Sequence, residues 1–193
     1  MSLVDLVRRR FARPPEAVRV AVLASPDPDE RVLAWGPLTR DQGWLVATSR
    51  GLRIVPTEVT SVTDAAEVLP WHEIGSARWT PTNDGGGSFE VTALVEVEPG
   101  VQVRQPATRY VLTDAGDLPS VVRKRVDQTV LASKRAPLPD RGGVLLVARR
   151  IPGQAAREWS VVFDDDADRQ DPAKREVARQ KLAEAVAAEQ PEQ

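Results

Sequence analysis

Apolar and polar residues alternate in short runs between residues 31 and 113. In the clearest run, 89–97, every odd position is apolar, and the even positions include Glu90, Thr92 and Glu96. Such alternation is typical of a strand with one buried face, so we expect Val95 and Val97 to be buried with Phe89. The runs predict seven strands, at 31–36, 44–48, 52–55, 67–79, 89–97, 101–104 and 109–113.

Residues 44–55, WLVATSRGLRIV, predict a β-hairpin. Two β-rich runs flank Ser49, Arg50 and Gly51. A three-residue hairpin turn with a bulge needs a residue in the left-handed conformation, and glycine adopts it without steric cost. We therefore expect Gly51 to occupy that position.

The segments at both ends of this region predict helices and further strands. Residues 2–11 predict a short amphipathic helix, and alternating valines predict a strand at 18–22. Asp117 is a plausible N-cap, followed by Pro119 in the first turn, so we expect a helix over 117–133. Its apolar stripe is Leu118, Val121, Val122, Val126 and Val130.

The C-terminal part predicts a hairpin followed by a helix. Strands at 144–148 and 158–163 should pair antiparallel, and Asp171 should cap a helix running to about Ala188. The expected inner face of this helix is Val177, Ala178, Leu182, Ala185 and Val186. We expect an N-terminal extension over 1–30, a domain over 31–136, a hairpin and helix over 140–189 on the same core, and a disordered tail over 190–193.

The hairpin 44–55 and the segment LPWHEIGSARW at 69–79 resemble a bacterial pleckstrin-homology-like (PH-like) domain. In such domains a strand, a Thr/Ser-Arg turn and a second strand precede an I-P-W-x-x-I strand, matched here by Leu69, Pro70, Trp71 and Ile74. The resemblance covers about residues 31–133. It implies a mainly β fold in which a bent antiparallel barrel of two orthogonal sheets is capped by a helix. It also implies a non-enzymatic protein-interaction or scaffold module.

Composition narrows the possible chemistry. The 193 residues include no cysteine and one histidine, which excludes disulfides, thiolate zinc sites and histidine clusters. The formal charge of -2 excludes a globally basic nucleic-acid coat.

No apolar run reaches the roughly 18 residues of a membrane span. Apolar residues precede Arg8, the opposite of the order in a signal peptide, so we expect a cytoplasmic protein. Abundant arginine and alanine are typical of a high-G+C bacterium, which with the PH-like resemblance indicates an actinobacterium.

Three motifs invite a catalytic, metal or phosphate site. His72 and Glu73 adjoin in an expected strand, where neighbours point to opposite faces and do not converge. Asp164, Asp166 and Asp168 have calcium-loop spacing, but Arg169 and Arg175 stand where glycine and glutamate are required. The glycines at 85–87 lack a following helix or lysine. We expect no catalytic residue, metal site or cofactor.

The stretch 123–157 is locally basic. Arg123, Lys124, Arg149 and Arg150 are candidate anion-binding residues within it. They leave open an alternative function, peripheral binding to an anionic membrane or nucleic acid. An enzyme of unrecognised type is the third hypothesis. The expected partner is another protein, and an exposed strand edge would also permit a dimer.

Overall fold

The computed structural model describes residues 13–57, 68–152, 157–165 and 167–188. The predicted helix at 2–11 and the tail at 190–193 lie outside these ranges. The strands are β1 Val32–Pro37, β2 Trp44–Thr48, β3 Gly51–Val55, β4 Leu69–Pro70, β5 Ile74–Pro81, β6 Gly87–Glu98, β7 Val101–Arg104, β8 Thr108–Leu112, β9 Val130–Pro137, β10 Gly143–Arg150 and β11 Arg157–Phe163. The helices are α1 Glu16–Leu23, α2 Leu118–Thr129 and α3 Pro172–Ala187.

The predicted mainly β fold class is confirmed. One sheet has the strand order β1-β2-β3-β4, and the other has the order β5-β6-β7-β11-β10-β9, with β8 paired to β6. The pairs β1–β2, β2–β3, β3–β4, β6–β7, β6–β8, β9–β10 and β10–β11 are antiparallel, whereas β7 and β11 run parallel. Among the described strands both sheets are open, since each strand order begins and ends at a strand with one neighbour.

The chain forms two compact units that are discontinuous in sequence. The first contains residues 1–71, 77–91 and 108–125, and the second contains 72–76, 92–107 and 126–193. Strands β5 and β6 and helix α2 contribute residues to both units. The division into domains over 31–136 and 140–189 stays a prediction.

The predicted strand at 18–22 is wrong, because this segment is the middle of helix α1. Val18, Ala21 and Val22 are its buried residues, a spacing of three and four that places them on one helical face. Val18 and Ala21 pack with Val46 and Val55 of the hairpin. Valines two residues apart also fit the two-residue period of a strand, so the apolar pattern alone indicated a strand instead of a helix.

The predicted hairpin is confirmed, although its turn differs. Strands β2 and β3 pair from Trp44 opposite Val55 to Ala47 opposite Leu52. Gly51 already belongs to β3, and its φ is not left-handed. A Cβ at Gly51 would lie 2.2 Å from the carbonyl oxygen of Leu69. Glycine is therefore required here by the close approach of β4 rather than by turn geometry.

The buried face of β6 changes along the strand. Phe89 and Val91 are buried as predicted, but Val95 and Val97 are 46% and 53% exposed, so their predicted burial is wrong. Leu94, an even position, is buried instead. The strand pairs with β8 through residues 87–91 and with β7 through residues 94–98, so its neighbour and its buried face change together.

Helix α2 begins where it was predicted and ends four residues early. It starts at Leu118 with Pro119 in its first turn, and it stops at Thr129. The predicted continuation to 133 is wrong because Val130 to Pro137 form β9, which pairs with β10. Of the predicted apolar stripe, Val126 lies in the helix, whereas Val130 lies in the strand.

The predicted C-terminal hairpin and helix are confirmed within the second unit. Strands β10 and β11 pair antiparallel over their whole length. Asp171 caps α3 by accepting a hydrogen bond from the N–H of Ala173 at 2.8 Å. Ala178 is buried, and Val177, Leu182 and Ala185 pack on the core, whereas Val186 is exposed and its predicted inner position is wrong. The core contains Val101, Ala136, Leu138, Val144, Leu146, Val161 and Phe163.

No helix within the described ranges is long and apolar enough to cross a membrane.

Candidate functional site

His72 lies in a 3₁₀ turn, not in a strand as predicted. The turn, Trp71–Glu73, separates β4 from β5. Its tighter winding directs neighbouring side chains differently from a strand, and His72 Nε2 lies 3.8 Å from Glu73 Oε1. The expectation that these two side chains cannot converge is therefore wrong.

A polar cavity of about 310 Å³ adjoins this turn in the second unit. Besides His72 and Glu73, its lining residues are Leu94, Val95, Glu96, Gln102, Arg149, Ile151, Glu158 and Ser160. Four neighbouring strands, in the order β6, β7, β11 and β10, carry most of these side chains. The cavity has the size of a small-molecule site.

The strand register explains why the polar residues of the cavity meet. Arg149 of β10 lies opposite Glu158 of β11. Two residues further along β11, the hydroxyl of Ser160 donates to Gln102 Oε1 of β7 at 3.1 Å. Side chains two residues apart on a strand share a face, so Glu158 and Ser160 point to the same side of the sheet. Adjacent strands thereby present a continuous polar surface.

Arg149 is the most deeply buried charged residue of the cavity, with 7% of its surface exposed. Its Nη1 donates to the hydroxyl oxygen of Thr129 at 2.9 Å, and its Nε has no hydrogen-bond partner among the described residues. Burial lowers the pKa of Arg149. A guanidinium carries five N–H donors and stays charged in proteins, so Arg149 retains donors for a ligand acceptor.

The pKa of His72 is lowered, which favours its neutral form. Burial lowers its pKa from the usual 6.5, and the positive charge of Arg149 lowers it further, whereas the carboxylates of Glu73 and Glu158 oppose the shift. The Nδ1 atom of His72 is buried and has no hydrogen-bond partner among the described residues.

The charges of the cavity are separated by depth. Arg149 is buried, whereas Glu96 and Glu158 are exposed and the side chain of Glu73 is partly exposed. The inner part is therefore cationic and the rim is acidic. Such an arrangement can hold a polar ligand with an acceptor inside and a cation outside.

The four candidate anion-binding residues do not share one kind of environment. Arg123 and Lys124 are exposed on α2 in the first unit. Arg150 is exposed at the end of β10, whereas Arg149 is buried beside Thr129. Arg149 is thus placed for a ligand inside the cavity rather than for an extended surface.

The aspartates of the 164–171 loop have partners within the protein. Asp164 accepts from Arg135 at 3.2 Å, and Asp165 lies 3.4 Å from Arg104. Asp168 accepts the N–H of Gln170, and Asp171 caps α3. Asp166 lies outside the described residues, and no group of three potential metal ligands occurs within them.

The glycines at 85–87 form the turn between β5 and β6. Gly85 and Gly87 have φ values of 90° and 155°. A Cβ at Gly86 would lie 2.5 Å from the carbonyl oxygen of Leu112, so this segment needs glycine for close packing.

No protein-family model matches this chain, and comparisons with curated proteins and with solved structures found no match either. The site therefore rests on geometry alone. Sequence reasoning named His72, Glu73 and Arg149 separately but missed Glu96, Gln102, Glu158 and Ser160. The one available signal was the polar residues Glu158 and Ser160 in an otherwise apolar strand.

Proposed function

We propose that this protein is a non-enzymatic protein-interaction module of PH-like type that binds an extended, acidic segment of a partner along the edge of β9. The proposal rests on the pairing of β9, which has β10 on one side, while no described strand pairs with its other side. The unpaired N–H and C=O groups of such an edge are a template for strand addition.

The length of β9 suits this mode of binding. The strand spans eight residues, Val130–Pro137, which is about 26 Å at 3.3 Å per residue. A strand of this length offers main-chain hydrogen bonds for affinity and alternate side chains for specificity. Leu131 is 42% exposed and provides an apolar contact on the strand.

The charge of β9 favours an acidic partner. Lys134 is exposed in the middle of the strand, next to Arg135, which is also exposed and pairs with Asp164 at 3.2 Å. Two β9 edges pairing with each other would bring these cations together, which is unfavourable. An acidic segment would gain from the same charges, so we infer a different protein rather than a second copy of this chain.

The order of elements supports the PH-like part of the proposal. The strands from β1 to β8 precede α2, as in a barrel closed by a C-terminal helix. A Cβ at Gly36 of β1 would lie 3.5 Å from Leu118 Cδ2, so α2 begins against the strands of the first unit. An actinobacterial source and a cytoplasmic location are part of the same proposal.

The test is a binding titration with a synthetic peptide of alternating valine and glutamate. We expect the wild type to bind it and the variant Lys134→Glu to lose at least tenfold in affinity, because an attractive pair becomes repulsive. Arg150→Glu, on the next strand, is the matched control and should bind like the wild type. Equal binding by all three proteins would refute the edge site.

Membrane or nucleic-acid binding through 123–157 is the alternative outcome. Anionic vesicles and an oligonucleotide should then bind with an affinity that falls steeply with salt and is reduced by Arg123→Glu/Lys124→Glu. Binding of that kind, together with no peptide binding, would replace the proposed function. Turnover of a metabolite lost on changing a single polar residue would instead indicate an enzyme.

A further inference from the structure

The cavity beside the His72 turn has a charge pattern that the β9 edge does not explain. Three carboxylates, from Glu73, Glu96 and Glu158, share it with the guanidinium of Arg149. Burying a guanidinium without a paired anion is unfavourable, so a side chain with 7% exposure needs a compensating acceptor. The hydrogen bond to Thr129 supplies one neutral acceptor, and Nε has no hydrogen-bond partner among the described residues.

The acidic rim decides which anion would be accepted. A phosphate or another multiply charged anion would pass Glu73, Glu96 and Glu158 and gain only one cation in return. A simple amine would meet favourable carboxylates but would leave Arg149 uncompensated. A molecule with one carboxylate and one ammonium satisfies both parts of the cavity.

We propose that this cavity binds a small zwitterion of the free amino acid class. Its carboxylate lies against the buried guanidinium of Arg149, and its ammonium lies between the carboxylates of Glu73 and Glu158 at the rim. The hydroxyl of Ser160 and the amide of Gln102 supply neutral hydrogen-bonding groups between them. Leu94 and Ile151 provide the apolar part of the wall. This ligand site is independent of the proposed peptide-binding edge.

The size of the cavity agrees with this class of ligand. A volume of about 310 Å³ lies at the small end of ligand pockets and fits a molecule of a few heavy atoms beyond the two charged groups. The charge separation also fits, because Arg149 and Glu158 are directly opposite each other on neighbouring strands. Directly opposite residues have Cβ atoms about 5 Å apart, a spacing that an amino acid backbone can bridge.

His72 provides a specific readout because it is the chain's single histidine. Its imidazole signals in an NMR spectrum are therefore unambiguous, and it lines the cavity. We expect at least one free amino acid from a panel of the common ones to shift these signals in a saturable way. Calorimetric titration of the same ligand should give the affinity.

Ligand analogues distinguish the two charge contacts. The N-acetyl derivative lacks the ammonium, and the methyl ester lacks the carboxylate. Each should bind at least tenfold more weakly than the free amino acid, since each loses a charge-assisted interaction. A dipeptide and a quaternary betaine carry the same two charges. Comparing their affinities with that of the free amino acid distinguishes these classes of ligand.

Matched variants locate the site on the protein. Glu158→Gln alters an exposed rim residue and should weaken binding about tenfold without unfolding the chain. Arg149→Lys should weaken it further, because a lysine cannot reproduce a bidentate contact to a carboxylate. Arg150→Lys, the exposed neighbour on the same strand, should leave binding unchanged.

Two results would overturn the proposal. One is the absence of any His72 signal shift with the whole panel of amino acids. The other is binding that persists unchanged in Glu158→Gln or when the ligand is acetylated or esterified. Neither result bears on peptide binding at β9, so the two sites fail or succeed separately.

Discussion

Arg53 and Glu30 are both buried in the first unit, with 5% and 7% of their surfaces exposed. Arg53 Nη2 lies 3.6 Å from Glu30 Oε2, and Arg53 Nη1 donates to the carbonyl oxygen of Ala21 at 3.0 Å. This arginine therefore connects β3 to helix α1 and compensates the buried carboxylate. Removing one member of such a pair leaves the other charge buried and uncompensated.

We expect Arg53→Met to destabilise the protein by about 3–5 kcal/mol, because it leaves Glu30 as a lone buried charge. The double variant Arg53→Met/Glu30→Gln should recover part of that loss. Urea denaturation of the two single variants, the double variant and the wild type gives the coupling free energy. Strictly additive effects would show that the two side chains do not compensate each other.

His72 predicts a dependence of stability on pH. Its pKa in the folded protein is lowered from 6.5, chiefly by burial. The unfolded chain therefore takes up a proton first as the pH falls below 6.5, which favours unfolding until the folded protein is protonated as well. The stability associated with neutral His72 is present above the unfolded pKa and is lost as the pH falls through the folded one.

We expect His72→Gln to lack this loss, so the urea stability of the wild type should fall relative to that of the variant as the pH is lowered from neutral. An NMR titration of the wild-type imidazole measures the folded pKa directly and should give a value below 6.5. A titration midpoint at or above that value would contradict the prediction.

The candidate site was only partly predictable at the scale of residues. Glu73 and His72 were expected to diverge because the sequence favoured a strand, and strand geometry separates neighbours. A 3₁₀ turn brings them together, and no local pattern distinguished the two. Arg149 was expected among exposed cations, since the sequence does not show which arginine of the pair 149–150 faces inward.

At the scale of elements, the boundary between α2 and β9 shows how pairing overrides a helical pattern. Thr129 ends the helix, donates to the carbonyl oxygen of Val126 at 2.7 Å and accepts from Arg149. From Val130 onward the chain pairs with β10. Sequence reasoning extended the helix because Val130 continues its apolar spacing, whereas the partner strand lies further along the chain and is not visible in a local window.

Gly51 gives a prediction for the hairpin and its neighbour β4. A Cβ at this position would clash with the main chain of Leu69 at 2.2 Å and approach Val68 Cγ1 at 2.6 Å. We expect Gly51→Ala to destabilise the protein by about 1–3 kcal/mol, because β4 must shift to make room.

Thermal unfolding of Gly51→Ala beside Gly116→Ala measures this effect. Gly116 has a φ of 49° and nothing within 4 Å of a Cβ, so its substitution meets conformational strain without a steric clash. Its cost should be about 1 kcal/mol. If Gly51→Ala is as stable as the wild type, β4 does not require the close approach to Gly51.

At the scale of the whole molecule, the sequence predicted the order of elements better than the division of the chain into compact units. Short strands, a helix, a hairpin and a second helix follow each other as predicted, but helix α1 precedes them and β9 lies between α2 and the hairpin. The two compact units cut through β5, β6 and α2, and neither unit is continuous in sequence. A boundary inside a strand such as β6 leaves no proline, glycine or charged linker that composition could reveal.

The open edge of β9 has a consequence for how the whole protein associates. Lys134 is exposed in the middle of this strand, and a charged side chain at such a position protects an edge from pairing with another copy. Lys134→Val should remove this protection and produce concentration-dependent association, whereas the wild type should show none through this edge. Sedimentation velocity over a range of concentrations measures the difference.

Lys124→Val is the matched control, since it removes an equally exposed lysine from helix α2 and leaves the strand unchanged. It should sediment like the wild type. If Lys134→Val also behaves like the wild type, the outer edge of β9 is not accessible to a strand, and an acidic peptide could not bind there either. If this variant associates and the wild type binds the peptide, the edge of β9 is accessible to a partner strand and Lys134 prevents it from pairing with a second copy.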